Sequence, residues 1–522
     1  MSFSLLPAER FVCRNARKGK AVFLTILQRE LLANLIAFRF SVAVIICLML
    51  VVANTFVLIE DYEDRLASYN TAAQKNWEKA KTAETYSYLK INVDRPPNPL
   101  SIFNQGLDQR LGNTIRTHHG FVPFLWDTQS HSAANPFLNL FSNIDLSFIF
   151  QVVLSLLAML FAYDAIAAER EGGTLRLIMT NPLSRGVILL AKYLSAMICL
   201  ILPLIISLLL SLSLSTESGM ISFDGDDWSR IGGMTFTSII YLSAFYLIGL
   251  LISTTARRTA TALMLSMFVW VFLVLIYPSL SAFTINQLID IEEPLEASYR
   301  EIEQIWERFE KEKQDYLKKD SVEGESTRFN MKGNNNLSYP SFTSLTTLQY
   351  MKLESSNWWS LSKESESQIP YVKAYYQFIE PLRIRTAERA GLARQKAIEQ
   401  TYIRKEKAAQ WVMRFSPATM YDLATEAWAS TDLRGIEDFI KAVHQYRQSL
   451  IDHFYNKDAF ASRQWFASDK GKVSWDDLPR FSYRRVNVWT SAKNALPDLM
   501  LLLLLNVVLF MVTFLIFVRQ EI

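Results

Sequence analysis

The sequence predicts an all-α polytopic membrane protein: six transmembrane helices with a large, mainly helical extracytoplasmic region. Three observations lead to this fold class. Half of the 522 residues are apolar, and many of them concentrate in six runs that carry no charge. Each run is close to the roughly 20 residues that a helix needs to cross a bilayer core. The long polar stretches between the runs have helix-favouring composition, without a strand-like alternation strong enough to predict a sheet.

The six apolar runs set the boundaries along the chain. We predict transmembrane segments at 40–59, 146–163, 193–216, 231–256, 259–285 and 499–518. Each must be helical, because an open strand would leave backbone groups without partners in lipid. The first run begins too far from the N-terminus for a signal peptide, so we predict an uncleaved first span. The other segments are 1–39, 60–145, 164–192, 217–230, 286–498 and 519–522.

Lysine and arginine in the shorter segments beside the spans indicate the orientation. They are frequent in 1–39 and 164–192, Arg257 and Arg258 separate spans four and five, and Arg519 follows span six. Basic residues favour the cytoplasmic side, so we predict that both termini and the 164–192 loop are cytoplasmic. Segments 60–145, 217–230 and 286–498 are then extracytoplasmic.

Residues 21–39 have an apolar side interrupted by a few polar residues. This pattern favours a helix in the cytoplasmic interface before span one. A simple extension of span one is the alternative.

The sequence of the predicted extracytoplasmic region indicates helices separated by irregular segments. Helical patterns cover 61–90, 101–115, 292–319, 371–412, 418–429 and 434–458. Residues 321–370 are rich in Ser, Asn and Gly and predict a loop. Asp224, Asp226 and Asp227 predict a solvated acidic turn, because a calcium loop would need a different spacing and a distal Glu.

Several function classes are excluded by the motifs that the sequence lacks. The phosphate-binding pattern GxxxxGK[ST], the GxSxG elbow and the HExxH pair do not occur. We therefore predict no catalytic residue, cofactor or metal site in this chain. The net charge of +3 gives no reason to expect nucleic acid. His118 and His119 are adjacent, and side chains so placed rarely converge on one ion, so we expect ordinary exposed histidines.

Polar residues within the spans are few, and Asn506 is the most central of them. A buried amide in lipid needs a partner, so we predict that Asn506 forms an interhelical hydrogen bond rather than a substrate contact. No span carries a charge near its centre, which argues against an ion or proton pathway built from carboxylates.

The most informative segment is the 164–192 loop. Gly172 and Gly173 let the chain turn after span two, and 174–180 can form a short helix with Leu175, Ile178 and Met179 on one side. Pro182 ends that helix, and Ser184 can cap the next one. Composition alone favours an ordinary charged loop between two spans.

Residues 167–193, AAEREGGTLRLIMTNPLSRGVILLAKY, resemble the signature of ABC-transporter permeases of the type-2 exporter class. The matching positions are Glu169, Glu171, Gly173, Thr174, Leu175, Pro182, Ser184, Arg185 and Lys192. Three further stretches resemble the subgroup with a large outer domain, which includes relatives of gliding-motility and nitrous-oxide-reductase maturation permeases. They are 95–108, 135–148 and 414–432. One departure is Ala429-Ser430, where that subgroup often carries Ala-Gly.

The resemblance implies a coupling helix in this loop that docks in a groove of a separate ATPase. The implied contact residues are Glu169, Arg170, Glu171, Gly173, Thr174, Leu175, Arg176, Ile178, Pro182, Ser184 and Arg185. It also implies a non-catalytic subunit of the bacterial cytoplasmic (inner) membrane. Its expected partners are cytosolic ATPase subunits holding ATP and Mg, a second permease copy or related permease, and membrane lipids, with an extracytoplasmic envelope protein as a further candidate partner.

Three interpretations of function follow from these features. The first is export or extrusion driven by the partner ATPase. The second is a mechanotransmitter, which passes force to an envelope partner and moves no substrate. The third is a membrane scaffold or sensor without an ATPase.

Overall fold

The computed structural model describes residues 23–108, 112–124, 127, 144–174, 185–288, 292–319 and 369–519. Within these residues, six helices are long and apolar enough to cross a membrane. The described chain is almost entirely helical, so the predicted fold class of an all-α polytopic membrane protein is confirmed.

The membrane helices are longer than the apolar runs alone, and a short helix precedes them. Helix α1 covers 23–36, and α2 covers Phe38–Lys81. Helix α3 covers Leu146–Glu171, α4 Arg185–Glu217 and α5 Gly225–Thr255. Helix α6 comprises Thr259–Val271, a π-helical turn and Tyr277–Leu288. The last membrane helix, α12, covers Val488–Arg519.

Five helices lie between α6 and α12, close to the predicted positions. They are α7 (Glu292–Lys319), α8 (Ile369–Ile398), α9 (Arg404–Met413), α10 (Pro417–Ala429) and α11 (Leu433–Asn456). A π-helical turn joins α8 to α9. The loop predicted at 321–370 lies almost wholly outside the described residues.

A two-stranded antiparallel sheet was not predicted from the sequence, and the helix predicted at 101–115 is wrong, because its described residues form turns and the start of the second strand. Strand β1 (Ile91–Asp94) pairs with β2 (Thr114–Thr117), with Ile91 opposite Thr117. Each strand has four residues and is buried on nearly all of them. The INVD sequence of β1 alternates apolar and polar residues, but TIRT in β2 does not, and runs of only four residues give a weak strand signal.

The two largest of the hydrophobic cores formed by the described residues lie in separate parts of the molecule. The bundle core lies between the membrane helices and includes Leu154, Leu200 and Phe245. The second core is aromatic and joins the far end of α2 and the sheet to α7, α8 and α11. We call this second body the domain, its side of the membrane the domain side, and the side of the 164–192 loop the loop side.

The prediction of exposed histidines is wrong for His119, which lies in the domain core and is 3% exposed. Its Nε2 lies 2.8 Å from Glu380 Oε2, and Arg383 lies 2.5 Å from the other oxygen of that carboxylate. The side chain of Arg447 donates to the His119 carbonyl at 2.6 Å. The pair of adjacent histidines in the sequence did not indicate this burial, because the residues that bond to His119 lie more than 250 positions away in the chain.

Candidate functional site

The candidate site is the loop between α3 and α4. The structure describes its two ends, 164–174 and 185–192. Leu175, Arg176, Ile178, Pro182 and Ser184 lie outside the described residues, as does the short helix predicted at 174–180. On the described side, residues 171–174 are exposed. Gly173 has φ +71° with nothing near its Cβ position, so it makes an open left-handed turn that suits glycine.

Lys192 forms the centre of an ion-pair cluster on the loop side. Its side chain is 6% exposed, and its Nζ lies 2.8 Å from Glu169 Oε1 and 3.1 Å from Glu30 Oε1. Glu169 belongs to the end of α3, Lys192 to the start of α4 and Glu30 to α1. Three elements that are distant in sequence are therefore held at one point, which we call the Lys192 cluster.

Arg170 connects the end of α3 to the end of α5. Its guanidinium donates to the carbonyl oxygens of Ala256 at 2.9 Å and Thr254 at 3.0 Å. These carbonyls lie at the helix C-terminus, where backbone acceptors lack helical partners and a cation is favourable. Ser253 reinforces the link, since its Oγ accepts from the backbone of Ile166 and Ala167 at 3.0 Å.

Glu171 connects the same end of α3 to the start of α6. Its Oε2 accepts from the backbone N–H of Thr259 at 2.9 Å and from the Thr259 hydroxyl at 2.7 Å. A carboxylate at a helix N-terminus satisfies free N–H donors and complements the helix dipole. Glu171 thus acts as a cap supplied by another helix.

Arg185, at the other end of the loop, connects α4 to α12. Its side chain donates to the carbonyl oxygen of Val518 at 2.7 Å. Beside it, Gly186 packs against the ring of Phe514 so closely that a Cβ would lie 2.8 Å from a ring carbon. This close approach explains a small residue at position 186.

The predicted site residues at the two loop ends therefore bond within the chain. Glu169, Arg170, Glu171 and Arg185 reach α1, α4, α5, α6 and α12. Their contact with an ATPase stays a prediction. Lys192 was part of the family resemblance but not of the predicted site, and its position immediately before the apolar run 193–216 was the available signal.

Asn506 lies between α12 and α5. Its Oδ1 accepts from Ser243 at 2.6 Å, and its Nδ2 donates to the carbonyl oxygens of Ile240 and Leu502. The amide is fully engaged with structural partners.

A second cluster lies where the domain meets the bundle. It is built from the described parts of the three stretches that carry the subgroup resemblance, 95–108, 144–148 and 414–432. Asn104 Nδ2 donates to Thr425 Oγ1 at 3.0 Å, and Asn98 Nδ2 donates to the Ala429 carbonyl at 2.7 Å. The backbone N–H of Gln105 donates to Asp145 at 2.9 Å. We call this contact region the junction.

Helix α10 is the centre of the junction and is buried between membrane helices. Tyr421 is 0% exposed and stacks on Tyr241 of α5, with ring centroids 4.5 Å apart. Met420 packs with Leu499 and Leu502 of α12. The sequence placed α10 in the predicted extracytoplasmic segment 286–498 and did not predict its packing between membrane helices. Its thirteen residues are too few to be recognised as a membrane span.

Charged residues at the start of α5 complete the junction. Asp227 is 1% exposed, its Oδ1 lies 2.8 Å from Arg485, and its carboxylate joins Asp224 in a capping box. The predicted solvated acidic turn is therefore wrong for Asp227. Arg230 is also buried and donates to the Ser430 hydroxyl and the Val486 carbonyl.

Ser430 gives a testable prediction at the junction. It ends α10 with φ 56° and ψ 36°, a left-handed conformation that costs an L-residue about 1 kcal/mol. Ser430→Gly and Ser430→Ala both remove the hydroxyl bonded to Arg230, but only glycine removes the strain. We expect the alanine variant to be less stable than the glycine variant by about 1 kcal/mol, measured by thermal unfolding in detergent. Equal stability of the two variants would contradict the strain argument.

These features define the class of the protein. It is a multi-pass membrane protein with a helical domain on one side and, on the other, a loop whose two described ends bond to several membrane helices. The chain belongs to the ABC-2 family transporter proteins, whose family model matches residues 24–522. The predicted resemblance to type-2 exporter permeases is thereby confirmed.

Two curated relatives share a short region with the chain. Both are described as a probable ABC transporter permease protein NosY. The Pseudomonas aeruginosa protein is 57% identical over 42 residues, which is 8% of this chain and 15% of that protein. The Stutzerimonas stutzeri protein is 50% identical over 54 residues, 10% of this chain and 20% of that protein. Each match thus covers at most a fifth of the relative's length.

Proposed function

We propose that this chain is the permease subunit of an ATP-driven transporter and that ATP is hydrolysed by a separate cytosolic subunit. The family match supports the permease role, and the sequence contains no phosphate-binding loop of its own. The loop side is cytoplasmic in this proposal, in line with its basic residues. The loop at 169–185 is the surface that the ATPase contacts.

The observation that carries the proposal is the set of bonds made by Glu169, Arg170 and Glu171. These consecutive residues link the base of the loop to four other helices, through Lys192 and Glu30, the end of α5 and the start of α6. A displacement of the loop would therefore move several membrane helices together. Packed helices respond to such a displacement as rigid bodies, which is what ATP-driven coupling requires.

Export or extrusion is the activity that we propose first, and mechanotransmission to an envelope partner is the second candidate. The junction favours this second candidate, because it fastens the domain to the bundle through buried contacts of Tyr421, Arg230 and Asp227. A domain held in this way moves with the membrane helices. Copurification of an envelope protein rather than accumulation of a substrate would favour force transmission.

The test of the proposal is copurification of the ATPase with loop variants. The full chain is isolated from its native membrane in mild detergent, and the accompanying proteins are identified by mass spectrometry. We expect a stoichiometric subunit with a phosphate-binding loop, and its loss in Leu175→Ser/Ile178→Ser, which removes the predicted apolar anchors.

The matched control is Arg257→Gln, an exposed residue on the same side of the membrane. The control should retain the ATPase, and all variants should insert in the membrane at wild-type yield. A wild-type chain that brings no ATPase, even after crosslinking, would overturn the proposed function. Retention by the double variant would overturn only the assignment of the anchors.

A further inference from the structure

An acidic side chain of α10, Asp422, lies against membrane helix α3. Its Oδ2 accepts from Gln151 Nε2 at 2.8 Å, and the same amide nitrogen donates to the Ala418 carbonyl at 3.3 Å. Gln151 is 6% exposed, and Asp422 is partly buried. Within the part of the chain that the structure describes, Gln151 is the one side chain that bonds to this carboxyl group, and no basic side chain acts on it. The acid therefore lies between helices with a neutral donor and no counter-ion.

The position of Gln151 is fixed by a π-helical turn of α3, Phe150–Leu154. The carbonyl oxygen of Gln151 accepts from the hydroxyl of Tyr241 at 2.9 Å and from the hydroxyl of Ser155. The Ser155 hydroxyl in turn accepts from the indole N–H of Trp270 at 2.9 Å. Helices α5 and α6 thus hold the turn in place, and π-helical turns of this kind are frequent at functional sites.

The charged groups around α10 do not neutralise Asp422. Arg414, just before α10, pairs with Asp498 at 2.5 Å. Arg230 bonds to Ser430, about 12 Å further along α10. The titratable groups on the elements packed around Asp422 are Asp145 of α3, Tyr241 of α5, Tyr277 of α6, Tyr421 and Glu426 of α10, and the paired Asp498 of α12.

These surroundings favour the neutral form of the carboxyl group. Burial raises the pKa of Asp422 to about 7, the hydrogen bond from Gln151 opposes the rise, and the charge of Asp145 adds to it. An aspartate in water ionises near pH 3.9. Between these two values the packed side chain binds a proton that a hydrated side chain has already lost. By linkage, low pH favours the packed arrangement, and this preference is lost as the pH rises to about 7.

We propose that Asp422 holds a proton in its contact with Gln151, and that this contact is a proton-dependent latch between α10 and α3. The neutral carboxyl group keeps Oδ2 as the acceptor for Gln151 and carries the proton on Oδ1. Ionisation passes that proton to water and leaves a buried charge that one neutral amide compensates poorly, so the latch weakens. Because α3 also carries Glu169 and Glu171, the latch connects the helix that enters the loop to the centre of the junction.

The first test is infrared difference spectroscopy of the full chain with its accompanying subunits, between about pH 5 and about pH 9. A protonated carboxyl group has a C=O stretching band that a carboxylate lacks. The wild type should show such a band that is missing from Asp422→Asn, and the band should disappear with a midpoint near pH 7. The matched control is Asp498→Asn. Asp498 is 2% exposed but paired with Arg414, so this variant should leave the band unchanged.

Thermal unfolding of the same three proteins tests the latch. Asparagine keeps the shape and neutrality of the protonated acid, and its carbonyl oxygen can accept from Gln151. Asp422→Asn should match the wild type at low pH and be more stable than the wild type at high pH. Asp498→Asn should be less stable at every pH, because it leaves Arg414 without a counter-charge. Comparison with the wild type cancels the contributions of other titrating groups, His119 included.

A chemical probe gives a check that needs no variant. Dicyclohexylcarbodiimide enters apolar surroundings and adds to protonated carboxyl groups, and mass spectrometry identifies the modified residue. Asp422 should be modified at about pH 5 and progressively less as the pH rises.

Three results would overturn the proposal. An infrared band that persists in Asp422→Asn, or an Asp422 that the carbodiimide leaves unmodified at about pH 5, would show an ionised side chain whose counter-ion comes from another molecule. An Asp422→Asn variant that unfolds with the same dependence on pH as the wild type would show that the proton does not control the contact. These measurements do not involve ATP hydrolysis, so the proposed function is tested separately.

Discussion

Replacement of Lys192 by methionine is expected to destabilise the loop side by about 3 kcal/mol and to uncouple the loop from the membrane helices. The ammonium group is 6% exposed and neutralises two carboxylates, Glu30 and Glu169, at 3.1 and 2.8 Å. Methionine fills a similar volume without charge, so the carboxylates of α1 and α3 would face each other without a counter-ion. The measurements are thermal unfolding in detergent and ATP hydrolysis by the purified complex.

Two control variants separate charge from coupling. Lys192→Arg retains the cation and should stay close to the wild type in stability. The triple change Glu30→Gln/Glu169→Gln/Lys192→Met removes all three charges and should recover most of the lost stability, because no charge is left unpaired. It should not recover ATP hydrolysis by the purified complex if the ion pairs transmit movement. A single Lys192→Met variant with unchanged stability would contradict the role of the Lys192 cluster.

Replacement of Glu380 by glutamine is expected to cost the domain about 3 to 5 kcal/mol. Glu380 is 0% exposed and accepts from both Arg383 and His119. Glutamine keeps the shape but leaves the buried guanidinium of Arg383 without a counter-charge. The measurement is the unfolding midpoint of the full chain, followed by protection of the domain from protease.

The matched control is Asp438→Asn, which breaks the surface ion pair to Lys441. The Lys441 side chain is 68% exposed, so this change should cost at most about 0.5 kcal/mol. Equal losses for the two variants would show that burial does not set the strength of these pairs.

The burial of His119 also predicts that the stability of the domain depends on pH. Burial lowers the pKa of His119, and the hydrogen bond to Glu380 opposes this only in part. The folded domain therefore takes up a proton less readily than the unfolded chain, whose histidine titrates near pH 6.5. Stability should be complete above about pH 6.5 and fall as the pH drops below it, and His119→Phe should flatten that slope.

The membrane helices were predictable because each signal is local. An uncharged run of about 20 residues specifies a helix in lipid without reference to the rest of the chain. The same holds for α10, since Ser416-Pro417 marks its start and supplies its cap. What the α10 sequence does not show is its burial against Tyr241 and Leu502, which depends on residues far away in the chain.

The candidate site was predictable only in part, because its residues also bond to residues far away in the chain. The glycines and charges of 169–174 indicate a turn and an exposed segment, and the turn at Gly173 is observed. The partners of those charges come from α1, α4, α5 and α6, so no spacing within the loop predicts them. The pairing of Lys192 with Glu30 spans 162 positions, and it requires the fold to be known.

The composition of the domain core has a consequence for how the chain is made. That core combines Tyr86, Ile91 and Ile115 from the early part of the chain with Phe439 and Trp465 from its late part. The partners of the early residues are therefore synthesised only after α3 to α6 have been made and inserted in the membrane. During that interval their apolar surface is open to chaperones and proteases. A fragment ending before residue 439 should be degraded rather than accumulate, so biogenesis of this protein depends on completing the chain almost to its last membrane helix.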